Sequence, residues 1–264
     1  MYQKAVNRPT VIYYQQSTRT HMFIFAHVFA GALLGLVFWH LTKDRRAIPV
    51  CIAGSIIPDL IDKSLGLLFP SVLSSGRTVF HSIALVVVIL LINLLFVRTD
   101  LRLLGVCFAG ALFLHQVFDE MWALPANWYY PLLGSLQGSM VPDYLLTYFW
   151  LEITNPAEWI FMAATMVILV KSYRWSTELP QLSLSDRMKS GAYTFFVVVL
   201  AVTGLFLVAE GLTDPRGTFT LLVNIQVNDL MTGLLALTGA GIMSHEKYDT
   251  VIRTTPSFPQ IQTQ

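Results

Sequence analysis

The chain has 264 residues, of which 55% are hydrophobic and only 12% are charged. Soluble domains average about 25% charged residues, and the mean hydropathy of this chain is +0.60. This composition excludes a disordered chain, a basic nucleic-acid-binding domain and an ordinary soluble enzyme. The net charge of +1 points to no charged partner, and two cysteines inside apolar runs exclude a disulfide framework.

Residues 1–21 lack the apolar core of a signal peptide, so we expect an N-terminal extension, with Met22 as an alternative start. A membrane-spanning helix needs about 20 mostly apolar residues. Seven runs approach this length: Met22–Leu41, Ala47–Phe69, Val79–Val97, Leu103–Trp122, Trp159–Tyr173, Ala192–Ala209 and Phe219–Met243. The sequence therefore predicts an all-α fold, a polytopic membrane helix bundle with six or seven transmembrane helices.

Basic residues in the connections predict the orientation, because cytoplasmic loops are enriched in Lys and Arg. If all seven runs cross the membrane, one face collects eleven Lys and Arg residues and the other collects six. We expect the face with eleven to be cytoplasmic. The connection 122–158 contains no Lys or Arg, which agrees with an external position. Its many aromatic residues are typical of the membrane–water interface, and we favour an interfacial anchor over a binding platform.

Ionisable residues within membrane spans are costly and often mark functional sites. In this chain they fall at one side of the first four spans: His27, Asp59, Asp62, Arg77, His81, His115 and Asp119. At 1.5 Å of helical rise per residue, they lie roughly 18–26 Å from the cytoplasmic ends of their spans. We therefore expect histidines and carboxylates from four helices to meet at one depth in the outer half of the bilayer.

Neutral imidazole and carboxylate groups are ligands for zinc and related divalent metals. His115 and Asp119 are four residues apart and share one helix face. Asp59 and His81 can complete a four-coordinate set, and His27 can hold a second ion with a shared Asp119. Each residue taken alone is better explained as a helix cap or an interhelical hydrogen bond. Their common depth favours a site.

The order of these motifs resembles the prokaryotic membrane-bound metal-dependent hydrolases, also described as LexA-binding, inner-membrane-associated hydrolases. The resemblance rests on FAHVFAGALLG, IPDLIDK, GRTVFHS, HQVFDE and NWYYPLLG, and it covers about residues 22–135. It implies a multi-pass protein of a prokaryotic inner (plasma) membrane with hydrolase activity. The commonest form of the third motif in that family has His and Thr where this chain has Gly76 and Phe80.

A weaker similarity extends to the all-helical zinc-dependent phospholipases C and related zinc nucleases. It matches the order of an early His, an Asp, a His and an HxxxD motif, here His27, Asp59, His81 and His115 with Asp119. Those enzymes carry a second HxxxE or HxxxD motif, and this chain does not match it. The similarity therefore implies fewer than three bound ions.

The leading hypothesis is a membrane-embedded hydrolase in which metal-activated water attacks a phosphoester or phospholipid-like substrate at the outer face. His27, Asp59, His81, His115 and Asp119 would bind a divalent metal, zinc or manganese. Asp62 would act as general base or replace Asp59 as a ligand, and Arg77 would hold the anionic group of the substrate. The alternatives are a non-catalytic membrane scaffold and a metal-binding transport protein.

The expected partners are membrane lipids, with no nucleic-acid contact and with the oligomeric state left open. The expected organisation has five parts. These are an N-terminal extension (1–21), a hydrolase-like membrane core (22–135), an interfacial aromatic connection (136–158), C-terminal transmembrane helices (159–243) and a flexible tail (244–264).

Overall fold

The computed structural model describes residues 24–69, 76–99, 101–136, 149–150, 152–173, 186–213 and 229–254. Its longer elements are α1 (Ile24–Thr42), α2 (Ala47–Leu68), α3 (Ile83–Phe96), α4 (Arg102–Phe118), α5 (Pro125–Trp128), α6 (Pro156–Tyr173), α7 (Asp186–Thr213) and α8 (Asp229–Thr254). Two short 3-10 helices span Val79–His81 and Met121–Ala123. Because the described residues contain helices and no strand, the predicted all-α fold is confirmed for them.

The first four long helices form the part of the bundle that carries the predicted site. Helix α2 packs against both α1 and α4, and α3 packs against α4. A Cβ atom on Gly35 would lie 2.5 Å from the Cα atom of Ile48, so α1 and α2 touch through their backbones. Gly31 and Gly35 are four residues apart on α1, the small-residue spacing that permits such close helix packing.

The apolar core lies between α1 and the C-terminal helices. Phe29 of α1 is fully buried, and its ring lies 5.3 Å from the ring of Phe161 on α6. Leu200 of α7 and Met243 of α8 belong to the same cluster. Helices α7 and α8 form an extensive contact with each other. The C-terminal helices therefore support α1 from the side opposite α2.

The structure interrupts the predicted third span. The chain forms a 3-10 turn at Val79–His81, and α3 begins only at Ile83. Ser82 explains this boundary, because its side-chain oxygen accepts a hydrogen bond from the backbone N–H of Leu85 at 3.3 Å and caps the helix. The polar residues before Ser82 therefore lie in a short loop instead of a regular helix.

Two of the described helices, Ile24–Thr42 and Ser190–Thr213, are both long and apolar enough to cross a membrane. Ile83–Phe96 and Arg102–Phe118 are apolar but shorter. The predicted count of six or seven spans is therefore not confirmed. Residues 219–228 of the last predicted span, the N-terminal extension and residues 255–264 lie outside the described residues. Helix α8 continues to Thr254, beyond the predicted boundary at residue 243.

Candidate metal centre

Four buried side chains bring one donor atom each to the same point: Asp59 of α2, His81 of the 3-10 turn, His115 of α4 and Asp119 at the end of α4. The four donor atoms lie within 4.8 Å of one another. The sequence predicts that histidines and carboxylates of the first four spans meet at one depth, with Asp59 or Asp62 among them, and the structure brings Asp59 to this point. We call these residues the four-donor group.

The spacing of the donors fits a single small cation. The Nε2 atoms of His81 and His115 are 3.1 Å apart. His81 Nε2 lies 3.5 Å from Asp59 Oδ1 and 3.4 Å from Asp119 Oδ2, and His115 Nε2 lies 3.8 Å from each of the same oxygens. A tetrahedral ion with ligands at 2.0–2.2 Å separates its donors by roughly 3.3–3.6 Å. These five separations lie within about 0.2 Å of that range, and all donors of the group lie within 4.8 Å of one another.

The other ring nitrogen of each histidine fixes its tautomer. His115 Nδ1 lies 2.8 Å from the carbonyl oxygen of Ser55, which only accepts hydrogen bonds, so Nδ1 carries the proton. His81 Nδ1 lies 2.8 Å from Asp62 Oδ2 and donates to that carboxylate. When both imidazoles are neutral, as metal ligation requires, their Nε2 atoms present lone pairs to the same point, 3.1 Å apart. A histidine that donates its second N–H to a carbonyl or carboxylate is characteristic of metal ligation.

Asp62 builds the loop that carries His81. Its carboxylate accepts hydrogen bonds from the backbone N–H and the hydroxyl of Thr78, at 2.7 and 2.6 Å, and from the backbone N–H of Phe80 and His81, at 3.2 and 3.1 Å. Asp62 is fully buried. It lies outside the four-donor group, and its observed contacts orient His81. The sequence alone left two roles open for Asp62, a general base or a ligand in place of Asp59.

Arg77 and His27 hold Asp119 from two sides. The Nε–H of Arg77 donates to Asp119 Oδ2 at 2.9 Å, and His27 Nε2 lies 3.1 Å from Asp119 Oδ1. The ring of His27 lies against the ring of His115, with centroids 4.0 Å apart. The structure thus brings both predicted residues to the centre, but neither supplies a donor to the four-donor group.

Two buried polar atoms at the centre lack a hydrogen-bond partner among the described residues: Asp59 Oδ1 and His27 Nδ1. Leaving a buried polar atom unpaired costs about 1–3 kcal/mol. Asp59 Oδ1 belongs to the four-donor group, so a bound cation would satisfy it. The unpaired Asp59 oxygen does not depend on the histidine tautomers, and it indicates a cation at the same position.

Lys63 is a further member of the centre, and its role was not predicted from the sequence. Its Nζ atom lies 2.5 Å from Asp59 Oδ2, one helical turn along α2. The centre therefore holds three buried carboxylates, those of Asp59, Asp62 and Asp119, against the two basic side chains of Lys63 and Arg77. With neutral imidazoles, this excess of one negative charge in a buried region favours a bound cation.

A second layer of polar side chains was also missed. Gln116 donates to the carbonyl oxygens of Ser82 and Phe80 at 3.1 and 3.3 Å, and the indole N–H of Trp128 donates to Gln116 at 3.0 Å. Asn127 donates to the carbonyl oxygen of Arg77 at 2.7 Å. Gln116 adjoins His115, and Asn127 and Trp128 belong to the NWYYPLLG motif, so these motifs also carry residues that support the loop.

Glu158 of α6 lies beside the start of α1. One of its carboxylate oxygens accepts hydrogen bonds from the backbone N–H groups of Phe25 and Ala26, at 2.8 and 3.2 Å. These groups immediately precede His27 and have no partner within the helix. Glu158 lies in the predicted interfacial connection (136–158), whereas in the structure it belongs to the first turn of α6. An acidic residue after Pro156, in the first turn of a helix, was the available signal.

Over the described residues, the helices and the buried His/Asp cluster define an all-helical fold whose centre is compatible with metal binding. Comparison with protein families gives a match to the family described as YdjM inner membrane protein, over residues 22–213. The chain therefore belongs to the YdjM inner membrane protein family. Comparisons with curated proteins and with solved structures give no match.

The family assignment supports part of the resemblance to prokaryotic membrane-bound metal-dependent hydrolases. It supports a prokaryotic inner-membrane family, and its match includes all five motifs on which the resemblance rested. It also extends through α6 and α7, which the resemblance did not reach. The description concerns location and does not include an activity.

Proposed function

We propose that this protein is a membrane-embedded, divalent-metal-dependent hydrolase that acts on a phosphoester or phospholipid-like substrate at the outer membrane face. The observation that carries the proposal is the convergence of four buried donor atoms, two of them imidazole Nε2 atoms 3.1 Å apart whose rings are oriented by the contacts of their Nδ1 atoms. Asp59, His81, His115 and Asp119 would hold the ion, with zinc or manganese as the expected metals.

A divalent ion supplies Lewis-acid polarisation of a substrate oxygen and a water nucleophile at neutral pH. The protein residues around it would divide the remaining tasks. Asp62 would keep His81 in its ligating tautomer, and His27 would orient Asp119 or hold a second ion. Arg77 would attract an anionic substrate oxygen beside Asp119, as a charge-assisted donor. Because its oxygens already accept several hydrogen bonds, Asp62 suits this positioning role better than that of a base.

A multi-pass arrangement, with membrane lipids as partners, is part of the proposal. Its support is the apolar surface of α3, where Val87, Leu91 and Leu95 are about half exposed or more. No charged residue interrupts Ile83–Phe96. Exposed apolar surfaces of this kind are suited to contact with lipid. The substrate headgroup would then meet the four-donor group near the membrane surface.

The decisive experiment measures bound metal in protein purified in mild detergent, for the wild type and for His115→Ala and Asp119→Ala. We expect either substitution to remove about one equivalent of metal, because an ion with too few ligands binds far more weakly. The two effects should not add, because both residues hold the same ion. Hydrolysis of a generic phosphodiester or of a phospholipid should be lost with the metal and restored by zinc or manganese.

The matched control is His40→Ala, which removes an exposed histidine from the opposite end of α1. This variant should retain the metal and the activity. A wild type that binds no metal when ions are supplied would identify the centre as a hydrogen-bonded scaffold. A wild type that binds metal but hydrolyses none of the tested esters would favour transport.

The proposed orientation has a separate test. A cysteine at Ser135 should react with a membrane-impermeant reagent added outside the cell, and a cysteine at Ser183 should not. Cys51 and Cys107 are buried, so they should contribute no background labelling. The expectation follows from the distribution of Lys and Arg residues. The opposite pattern would place the centre at the cytoplasmic face.

A further inference from the structure

Lys63 is the most exposed member of the centre. Its side chain is 22% exposed, whereas the side chains of the four-donor group are at most 3% exposed and that of Arg77 is 7% exposed. Lys63 contacts the group directly through Asp59 Oδ2. The side of the centre that carries Lys63 is therefore the side from which a ligand can approach.

The helix face around Lys63 is apolar. Leu60, Lys63 and Leu67 are spaced by three and four residues and lie on one stripe of α2. Leu60 is 63% exposed and Leu67 is 38% exposed. One basic group thus stands between two exposed apolar side chains, an arrangement suited to an anionic headgroup attached to an apolar chain.

The position of Lys63 along α2 fits a membrane surface. It lies 16 residues beyond Ala47, where the helix begins. At 1.5 Å per residue this corresponds to roughly 24 Å, close to the far boundary of a hydrocarbon layer about 30 Å thick. Phospholipid phosphates lie just outside this boundary, within reach of a flexible lysine side chain.

We infer that Lys63 recognises the anionic phosphate group of an amphiphilic substrate and exchanges its pairing with Asp59 for pairing with that phosphate. The inference rests on the proposed function, because the phosphate would be drawn toward the ion. With neutral imidazoles, the three carboxylates, the two basic side chains and one divalent ion of the centre sum to a single positive charge. An anionic group balances this charge, whereas a neutral ester does not.

The test compares wild type, Lys63→Gln and Lys63→Arg as full-length protein in detergent. Lys63→Gln keeps a hydrogen-bond donor for Asp59 and removes the charge, and Lys63→Arg keeps the charge. Binding of phosphatidylglycerol, of zwitterionic phosphatidylcholine and of soluble bis(p-nitrophenyl) phosphate is measured by titration, and bound metal by elemental analysis. The control is Lys43→Gln, which changes an exposed lysine in the α1–α2 connection.

We expect Lys63→Gln to weaken phosphatidylglycerol binding by about 10- to 100-fold, the range for loss of a hydrogen bond to a charged group. Phosphatidylcholine binding should change less. Lys63→Arg should restore most of the affinity, and Lys43→Gln should resemble the wild type. If Lys63→Gln weakens binding of the lipid more than binding of the soluble diester, the result supports an amphiphilic substrate. If it weakens binding of the soluble diester alone, the inference of an amphiphilic substrate is overturned.

Unchanged phosphatidylglycerol binding in Lys63→Gln that still retains its metal would overturn the inference. The result is separable from a failure of the proposed function. If the wild type binds metal and hydrolyses esters whether or not Lys63 is charged, the hydrolase stands and this inference falls. If Lys63-dependent anion binding occurs without metal or hydrolysis, anion recognition stands and the hydrolase falls.

Discussion

The region from α1 to α5 and the helices α6 to α8 use the same kind of close helix contact but hold their polar groups differently. A Cβ atom on Gly31 of α1 would lie 2.7 Å from the carbonyl oxygen of Cys51, and one on Gly233 of α8 would lie 2.7 Å from the backbone nitrogen of Val208. In the first region this contact brings a loop and three helices around one centre. In the second, the described contacts are mainly apolar.

The difference shows that close helix packing alone does not create a site. The loop before α3 supplies His81 and Arg77 from a non-helical backbone, and Asp62 holds that backbone in place. The described parts of α6 to α8 contain no four-donor group of this kind. Substitutions that disturb the loop should therefore affect metal binding, whereas equivalent changes in α7 and α8 should affect only stability.

The largest effect is expected for Asp62→Asn. The amide offers one acceptor and presents an N–H₂ group to backbone donors that the carboxylate now satisfies. We expect a loss of about 3 kcal/mol in the free energy of unfolding, since hydrogen bonds to charged groups contribute about 1.5–3 kcal/mol. Metal affinity should fall by about 10- to 100-fold, as for other residues that orient ligands.

Unfolding in detergent and metal titration measure the two effects of Asp62→Asn. The control is Asp44→Asn, in the exposed connection between α1 and α2, where Asp44 pairs with Arg46. This exposed pair should contribute little to stability. Full metal affinity in Asp62→Asn would mean that the loop does not depend on the carboxylate.

The second largest effect is expected when the same substitution is made in each region, as Gly31→Ala and Gly233→Ala. Each added methyl group meets backbone atoms of a neighbouring helix, so each should cost about 1–3 kcal/mol of stability through overpacking. Gly31→Ala should also weaken metal binding, because the new Cβ would meet the side chain of Ser55, whose carbonyl oxygen orients His115. Gly233→Ala should leave metal binding unchanged.

Gly241→Ala provides the control for this pair, because a Cβ atom at Gly241 would meet no atom within 4 Å. It should be neutral or slightly stabilising, since Ala favours a helix over Gly by about 1 kcal/mol. Thermal unfolding and metal content of the three variants give the comparison. Equal metal loss in Gly31→Ala and Gly233→Ala would show that the two regions act as one unit.

The sequence predicted much of the centre because its signals are strong in this context. Ionisable residues are rare in apolar runs, so two histidines and two carboxylates within the predicted spans mark the positions that meet. The i, i+4 spacing of His115 and Asp119 placed both on one face, and they do contribute to the same group. The helical fold followed from the long apolar runs in the same way.

The remaining details depend on contacts between residues distant in the chain. The boundary between the polar loop and α3 was not predicted, because a single N-cap residue, here Ser82, hardly changes the hydropathy of the run. The distinct roles of Asp59 and Asp62 were not predictable, since both lie on one side of α2 and only the folded loop selects between them. The pairing of Lys63 with Asp59 required the side-chain geometry.

The smallest expected effect concerns the connection between the two regions, at Glu158. Its carboxylate is 1% exposed and accepts from the backbone N–H groups of Phe25 and Ala26 at the start of α1. In Glu158→Gln the amide oxygen can still accept these bonds. Burial raises the pKa of the Glu158 carboxyl to about 8, so the variant loses at most a partial negative charge near a helix N-terminus at neutral pH. Such a charge contributes about 0.3–1 kcal/mol to the free energy of unfolding.

Metal content should not change in Glu158→Gln, because Glu158 contacts the backbone before His27 and not a ligand. Unfolding and elemental analysis on the same sample would measure both quantities. Loss of metal in Glu158→Gln would show instead that α6 positions His27, and that the C-terminal helices take part in building the centre.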